Sequence, residues 1–403
     1  MDDGKPISIT AKWVLSVAGP PIEGGVVTIA GERIVSVDRH RAGKIDRDFG
    51  DAAILPGLVN AHTHFDLTGA SSLPRPSPSE SFPDWLLRVI AFRRSRTAQQ
   101  VEADIRHGLD ESLRAGVTLL GDISATGASW PHLNEAELQA VVFREWIGLS
   151  AERGDAASKE AIAWVNVVKP SDRSLPGLSP HATYSANTRS WGTGGRIPRC
   201  LHAFESREEL ELLQSGTGPF VPFLKSVGAY AQDEIPSLDA AFEAIDSAAP
   251  ILIAHGNFAP PDRLGPGHSV VYCPRTHAAF GHPPHPFREF LNRGVNVCLG
   301  TDSLASNPDL DVLEEARFLA SKYPEFTGTT LIEMLTANGH RALGFAGGTL
   351  VAGGFADLVV VPVEAANDPF AALFHRPLPN ATRSTMFRGR WRSPSRSDTG
   401  ISS

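Results

Sequence analysis

A chain of 403 residues has room for two or three domains at roughly 150 residues each, and 42% apolar with 20% charged residues describes a globular protein with a sizeable core, not a disordered chain. A formal net charge of -8 leaves no electrostatic footprint for nucleic acid, no apolar run is long enough to predict a transmembrane helix, and the opening residues lack the basic-then-apolar pattern of a secretory signal. Three cysteines, Cys200, Cys273 and Cys298, suit a reducing compartment, so the expectation is a cytoplasmic protein with a small-molecule substrate and no nucleic-acid or membrane partner.

Residues 7 to 55 predict short strands. Trp13-Val14-Leu15, Gly25 to Ile29 and Arg33 to Val37 are rich in β-branched residues, with turns such as Gly19-Pro20-Pro21 and Ala30-Gly31-Glu32 between them. Similar strands return in Ala356 to Val361 and around Thr385-Met386-Phe387. The two ends therefore predict one small flanking β-sandwich built from residues 1–55 plus 346–395, followed by a flexible tail over 396–403. Arg388, Arg390, Arg392 and Arg396 read as a solvated strand end and tail. Between the ends, residues 56–345 hold most of a series of apolar runs. These are Ile54 to Ala61, Val117 to Leu120, Ala140 to Phe143, a weak one before His181, Ile197 to Leu201, Ile251 to Ala254, Val270 to Cys273 and Val295 to Leu299. Helical patterns lie between them. Thr97 with Gln100 forms a capping box ahead of Val101, Ile105, Leu109 and Leu113, and Gly116 is placed to end that helix; Ser206 with Glu209 repeats the device. Strand runs without polar alternation, separated by helices, predict an α/β fold: a (β/α)8 TIM-type barrel whose sheet is buried on both faces.

In such a barrel the catalytic groups project from the C-terminal ends of the strands. The first run ends at His62-Thr63-His64. Residues i and i+2 share one side of a strand, so both histidines can reach one metal, or both can decorate a solvated end. The fifth run ends at His202, three residues before Glu205, which reads equally as a first-turn helix carboxylate. The sixth ends at His255 and the eighth at Asp302, by itself an ordinary N-cap. Singly these signals are weak. Together, three histidines and an aspartate at strand ends match a His/carboxylate metal set, with Glu205 and His255 beside it to move protons.

The stretch Pro56 to His64 resembles the first-strand signature of the amidohydrolase superfamily. Pro180 to Ser185, His202 to Ser206, Ala254-His255-Gly256 and Leu299 to Ser303 follow in that family's order, and Ala356 to Val360 resembles its return strand. Within the family, the chain is similar to the branch of triazine hydrolases and deaminases of cytosine, guanine and adenosine-type compounds. The resemblance implies one divalent metal, zinc with iron as an alternative, held by His62, His64, His202 and Asp302. Pro180-His181 stands where two-metal branches often carry a carboxylated lysine. It also implies that the metal lowers the pKa of bound water from about 15.7 to about 7, with Asp302 taking the proton. Glu205 would protonate the ring and then the leaving group, His255 would hold the oxyanion, and His181 would contact substrate.

The loop Phe82 to Leu87, with Trp85, resembles the corresponding loop of enzymes that deaminate 6-amino-6-deoxyfutalosine, and Asn307 to Asp311 resembles adenosine-type deaminases. Phe82 and Trp85 read more simply as helix-packing anchors. After the seventh run those enzymes usually carry a Ser-Asn pair; here Pro274-Arg275-Thr276-His277 stands instead, making Arg275 and His277 candidate substrate contacts, while His282 and His285 follow in a long loop. The expected reaction is deamination of an aminated N-heterocycle by metal-bound hydroxide, best a 5′-modified adenosine such as 6-amino-6-deoxyfutalosine. Hydrolytic dechlorination of a triazine and opening of a cyclic amide are the alternatives. An assembly protein that kept the fold predicts missing ligands, and all four are present. A nucleic-acid deaminase predicts a His-x-Glu and Pro-Cys-x-x-Cys arrangement that nothing here resembles. Family habit suggests a homodimer.

Overall fold

The computed structural model describes residues 5–39, 44–375, 378 and 381–392; the tail expected over 396–403 lies outside them. Eight parallel strands carry the centre: β1 (Leu58–Thr63), β2 (Val117–Ser124), β3 (Gln139–Trp146), β4 (Ser174–Pro180), β5 (Cys200–Ala203), β6 (Leu252–His255), β7 (Ser269–Tyr272) and β8 (Asn296–Leu299). They form two four-stranded sheets, ordered β4-β3-β2-β1 and β5-β6-β7-β8. Single parallel bridges join the sheet edges: Leu178 to Arg199 and Ala182 to His202 on one side, Thr63 to Asp302 on the other. Every residue of β2 is buried. The alternating side chains of β1 show why, since Leu58 joins one apolar cluster and Val59 and Ala61 another. Unbroken apolar runs are what a sheet covered on both faces demands.

The first expected run is two strands. Ala52–Pro56 pairs antiparallel with Leu358–Pro362, register Leu55 to Val359, in a six-stranded sheet made from both ends of the chain. Gly57 marks the break before β1, because a Cβ there would sit 2.0 Å from the Thr118 hydroxyl oxygen. A second sheet, of four strands, includes Ile7–Thr10, Val26–Ala30 and Arg33–Asp38. Ile9, Val27, Ile29 and Ile34 of that sheet share an apolar cluster with Ile54, Leu358 and Met386. Arg388 and Arg392 are not solvated as their charge suggested. Arg388 lies 3.5 Å from the centre of the Phe355 ring, and Arg392 donates to the Val117 carbonyl at 2.8 Å.

The helix α1 (Phe82–Ser95) follows β1, and α2 (Ala98–Arg114) starts from the expected reciprocal box of Thr97 and Gln100. Gly116 follows it with φ +88°, a conformation that costs glycine nothing. The helix α3 (Arg207–Ser215) is only half as expected. Ser206 accepts from the Glu209 amide at 3.1 Å, but the Glu209 carboxylate turns away from the N-cap toward the site.

Candidate active site

Two local features place the first histidines. His62 lies next to the last residue of β1 and His64 just past its end, with ring centres 5.0 Å apart. Asp302 lies just past β8 with φ +60°, a strained choice for a non-glycine residue that packing must hold. Its amide donates to the His62 carbonyl at 3.0 Å, and Ser306 Oγ donates to its Oδ2 at 2.8 Å. That leaves Oδ1 facing His64 Nε2 at 3.5 Å and His62 Nε2 at 3.8 Å. His202, on β5, places its Nε2 3.3 Å from His64 Nε2, while its Nδ1 meets the His181 carbonyl at 2.7 Å.

These atoms fit a divalent metal on their own chemistry. Burial keeps these imidazoles neutral, each with one nitrogen lone pair to offer: it drives His62 and His64 well below the usual imidazole range and His202 down to about 4. His62 Nε2 is buried without a hydrogen-bond partner. Neutral imidazoles and a carboxylate converging from different strands make a donor set for zinc or a similar ion. The Nδ1 contact of His202 with a backbone carbonyl fixes the tautomer that leaves Nε2 free to ligate.

Glu205 and His255 stand beside that set, Glu205 Oε1 3.5 Å from His255 Nε2. Burial raises the Glu205 carboxyl well above the usual range, helped by the nearby charges of Asp302 and Glu209, which favours its protonated form. Burial lowers His255, and His62 and His202 lower it further. Both residues are held from behind. His285 Nε2 meets the His255 carbonyl at 2.8 Å, and Asn257 donates to the Glu205 carbonyl at 2.8 Å. The Glu209 carboxylate, fully buried, accepts from the Phe204 amide at 3.0 Å, the Glu205 amide at 2.6 Å and the Thr183 hydroxyl. Phe204 has φ +57°, so Glu209 clamps a strained turn that aims Glu205.

His64, His202, Glu205, His255 and Asp302 line one cavity of about 910 Å³ of empty space, mouth included. His181 and Trp85 line it too. His181 Nδ1 is tied to Ser185 Oγ at 2.5 Å. Trp85 also packs edge-on against Phe280 at 5.1 Å, so the packing anchor and the cavity wall are the same residue. Leu67, Val89, Phe223 and Leu224 make much of the remaining wall, the apolar lining with a few convergent polar groups that small ligands select.

Arg275 and His277 do not line this cavity. The chain turns after β7 into a short helix, Pro274–Ala279, which aims Arg275 at Glu315 and Asp309, each at 2.7 Å. His277 is 1% exposed and sits edge-on to Tyr272. Arg275 is held by these ion pairs and His277 is buried beside Tyr272, so neither reaches the cavity, contrary to the expectation that they contact a substrate there. Conversely, Glu145, Arg93 and Glu209 are not among the sequence candidates. Glu145 and Arg93 line the cavity, and Arg93 Nη1 donates to Glu145 Oε2 at 3.0 Å. Glu145 closes the third apolar run, so the same search of strand ends contains it.

Comparisons with known proteins agree with this geometry. The amidohydrolase family model matches residues 53–392. The 5-methylthioadenosine/S-adenosylhomocysteine deaminase of Moorella thermoacetica is 29% identical over 389 residues, covering 87% of this chain and 84% of the relative. The 5′-deoxyadenosine deaminase of Methanoregula boonei is 31% identical over 362 residues, covering 82% and 76%. Among solved structures, Helicobacter pylori aminofutalosine deaminase in complex with methylthio-coformycin superposes with a TM-score of 0.82 at 22% identity, covering 96% of this chain and all of that one. The structural likeness implies a TIM-type barrel. The match to the family model over most of its length shows that the chain belongs to the amidohydrolase family, hydrolases of C–N bonds.

Proposed function

We propose that the protein is a mononuclear metal-dependent deaminase of modified adenosines. The convergence of His62, His64, His202 and Asp302 beside a proton-bearing Glu205 carries this reading, and the deaminase names of its relatives support it. His62, His64, His202 and Asp302 would hold the metal, with zinc the first choice. When bound, such an ion lowers the pKa of a coordinated water to about 7. Asp302 accepts the proton of the attacking water. Glu205 gives its proton to the ring nitrogen next to the amine-bearing carbon, which makes that carbon electrophilic. His255 donates a hydrogen bond to the incoming oxygen. Asp302 then returns the water's proton to the amine, which leaves as ammonia, while the hydroxyl proton of the adduct passes back to Glu205, and the product is the corresponding oxo-nucleoside. His181 and Trp85 position the ring, and the apolar wall excludes water from the reaction.

The same reading joins the two parallel sheets into one closed (β/α)8 barrel over residues 56–345 and assigns the paired terminal sheets to a β-sandwich of 1–55 plus 346–395. The single bridges at both sheet edges support the closure. The deciding experiment is ammonia release by zinc-loaded protein from 5′-deoxyadenosine, 5′-methylthioadenosine, S-adenosylhomocysteine, free amino-purines, amino-pyrimidines and a chlorotriazine. Release from the modified adenosines, with little from free bases, is the expected result. Silence on every nucleoside together with chloride release from the triazine would overturn it.

A further inference from the structure

We propose that Glu145 accepts a hydrogen bond from a sugar hydroxyl of the substrate, so that the cavity selects nucleosides with an intact ribose; this rests on the nucleoside reading above. Glu145 lies next to the last residue of β3 and lines the cavity that holds His181 and His202. One of its oxygens and a ring nitrogen of each histidine lie within 4.8 Å of one another. The residue is 3% exposed. Its Oε2 is occupied by Arg93, whereas its Oε1 is buried with no hydrogen-bond partner among the described residues. A buried carboxylate oxygen left unmet is costly, so the site is built for a donor that arrives with the ligand.

The charge state narrows that donor. Arg93 Nη1 donates to Glu145 Oε2 at 3.0 Å, an ion pair that a buried carboxyl makes as the anion. Glu145 is therefore an anion that can only accept. Arg93 is itself bridged to Asp66 at 3.4 Å as well as to Glu145, so it has no unmatched charge to offer an anionic ligand. Adenine ring nitrogens accept, and the one exocyclic amine faces the attacking water in the proposed reaction. The remaining strong donors on an adenosine are its sugar hydroxyls. A carboxylate is also the group that reads ribose hydroxyls in dinucleotide sites.

The test compares 5′-deoxyadenosine with 2′,5′-dideoxyadenosine and 3′,5′-dideoxyadenosine on the zinc-loaded native enzyme, Glu145→Gln and Glu145→Ala. In the native enzyme, loss of the hydroxyl that Glu145 reads lowers kcat/KM by roughly 10- to 100-fold, mostly through KM, the range for a hydrogen bond to a charged group. In the variants that ratio collapses toward unity. The ratio is internal to each protein, so partial loss of stability does not blur it. Calorimetric titration with 5′-deoxyinosine and its dideoxy counterparts reads the same preference without turnover. Equal handling of all three sugars by the native enzyme, or a preference that survives in both variants, overturns the inference and leaves the deaminase reading standing. If no nucleoside releases ammonia, the deaminase reading fails, and the calorimetric preference alone decides the role of Glu145.

Discussion

Replacing Glu209 by Gln tests whether Glu205 is aimed from behind. Three donors converge on the Glu209 carboxylate: the amides of Phe204 and Glu205 and the Thr183 hydroxyl. An ionised carboxylate meets all three with lone pairs. The amide of Gln has one oxygen, which suffices for Phe204 and Thr183, and its NH2 then faces the Glu205 N–H donor to donor. One charge-assisted hydrogen bond is lost, worth roughly 1.5–3 kcal/mol. The left-handed turn at Phe204, which costs on the order of 1–2 kcal/mol to hold, loses part of its clamp. The expected destabilisation is therefore about 2–4 kcal/mol by urea unfolding. Relaxation at Phe204 carries Glu205 with it, and a shift of about 1 Å in a reacting group costs on the order of 100-fold in rate. The assay is steady-state kinetics on the best nucleoside, paired with zinc content by elemental analysis. The expected outcome is a kcat lowered by about two orders of magnitude with KM little changed and zinc retained. Stability and kcat both at native levels would refute the clamp.

Glu205→Gln should abolish nearly all turnover, by roughly 100- to 10,000-fold, while elemental analysis still finds one zinc per chain. Because the proposed acid must carry its proton and burial raises its pKa, native activity should fall as pH rises through that value; an alkaline limb that persists unchanged in residual Glu205→Gln activity would assign it to another group. His62→Ala should lose the metal: zinc at about 100 times its Kd adds about 2.7 kcal/mol to a binding-competent protein, so the native melting temperature should rise with zinc and the variant's should not. Asp122 accepts from the Phe65 amide at 2.9 Å and from Ser129, yet burial pushes its carboxyl up to about 7. A carboxyl whose folded pKa lies above its unfolded one favours folding only while protonated, so its contribution is complete below about pH 4 and is lost as pH rises through 7. Asp122→Asn keeps an acceptor for Phe65 and removes the charge. It should be more stable than the native protein at pH 8, by up to roughly 4 kcal/mol at 1.36 kcal/mol per unit, with the gap closing toward pH 4 in urea titrations at the two ends.

Most of what was legible in the chain sits where chemistry restricts residue type within a few neighbours. His62 and His64 share a strand end, and His202, His255 and Asp302 each close an apolar run, so they stand out as candidates without knowing what lies across the sheets. Gly116 and the Thr97–Gln100 box announce themselves the same way. What stayed hidden depends on partners far along the chain. Arg275 has the right chemistry for a substrate contact, but Asp309 and Glu315, 34 and 40 residues on, capture it. Glu145 obeys the strand-end rule, yet the ion pair that holds it depends on Arg93, 52 residues earlier. Glu209 mimics a capping-box residue three positions after Ser206, and only the left-handed turn at Phe204 diverts its carboxylate.

The division follows from burial. A buried ionisable group must be matched, and the matching group comes from whatever element folds against it, so the proposed metal ligands are locally patterned while the residues that orient the site are not. The same logic separates two kinds of buried carboxylate in this cavity. Glu209 has all its lone pairs spoken for by the protein and acts through Glu205. Glu145 keeps one oxygen unmet among the described residues at the cavity wall, and a buried unmet acceptor is where a ligand's own donor belongs.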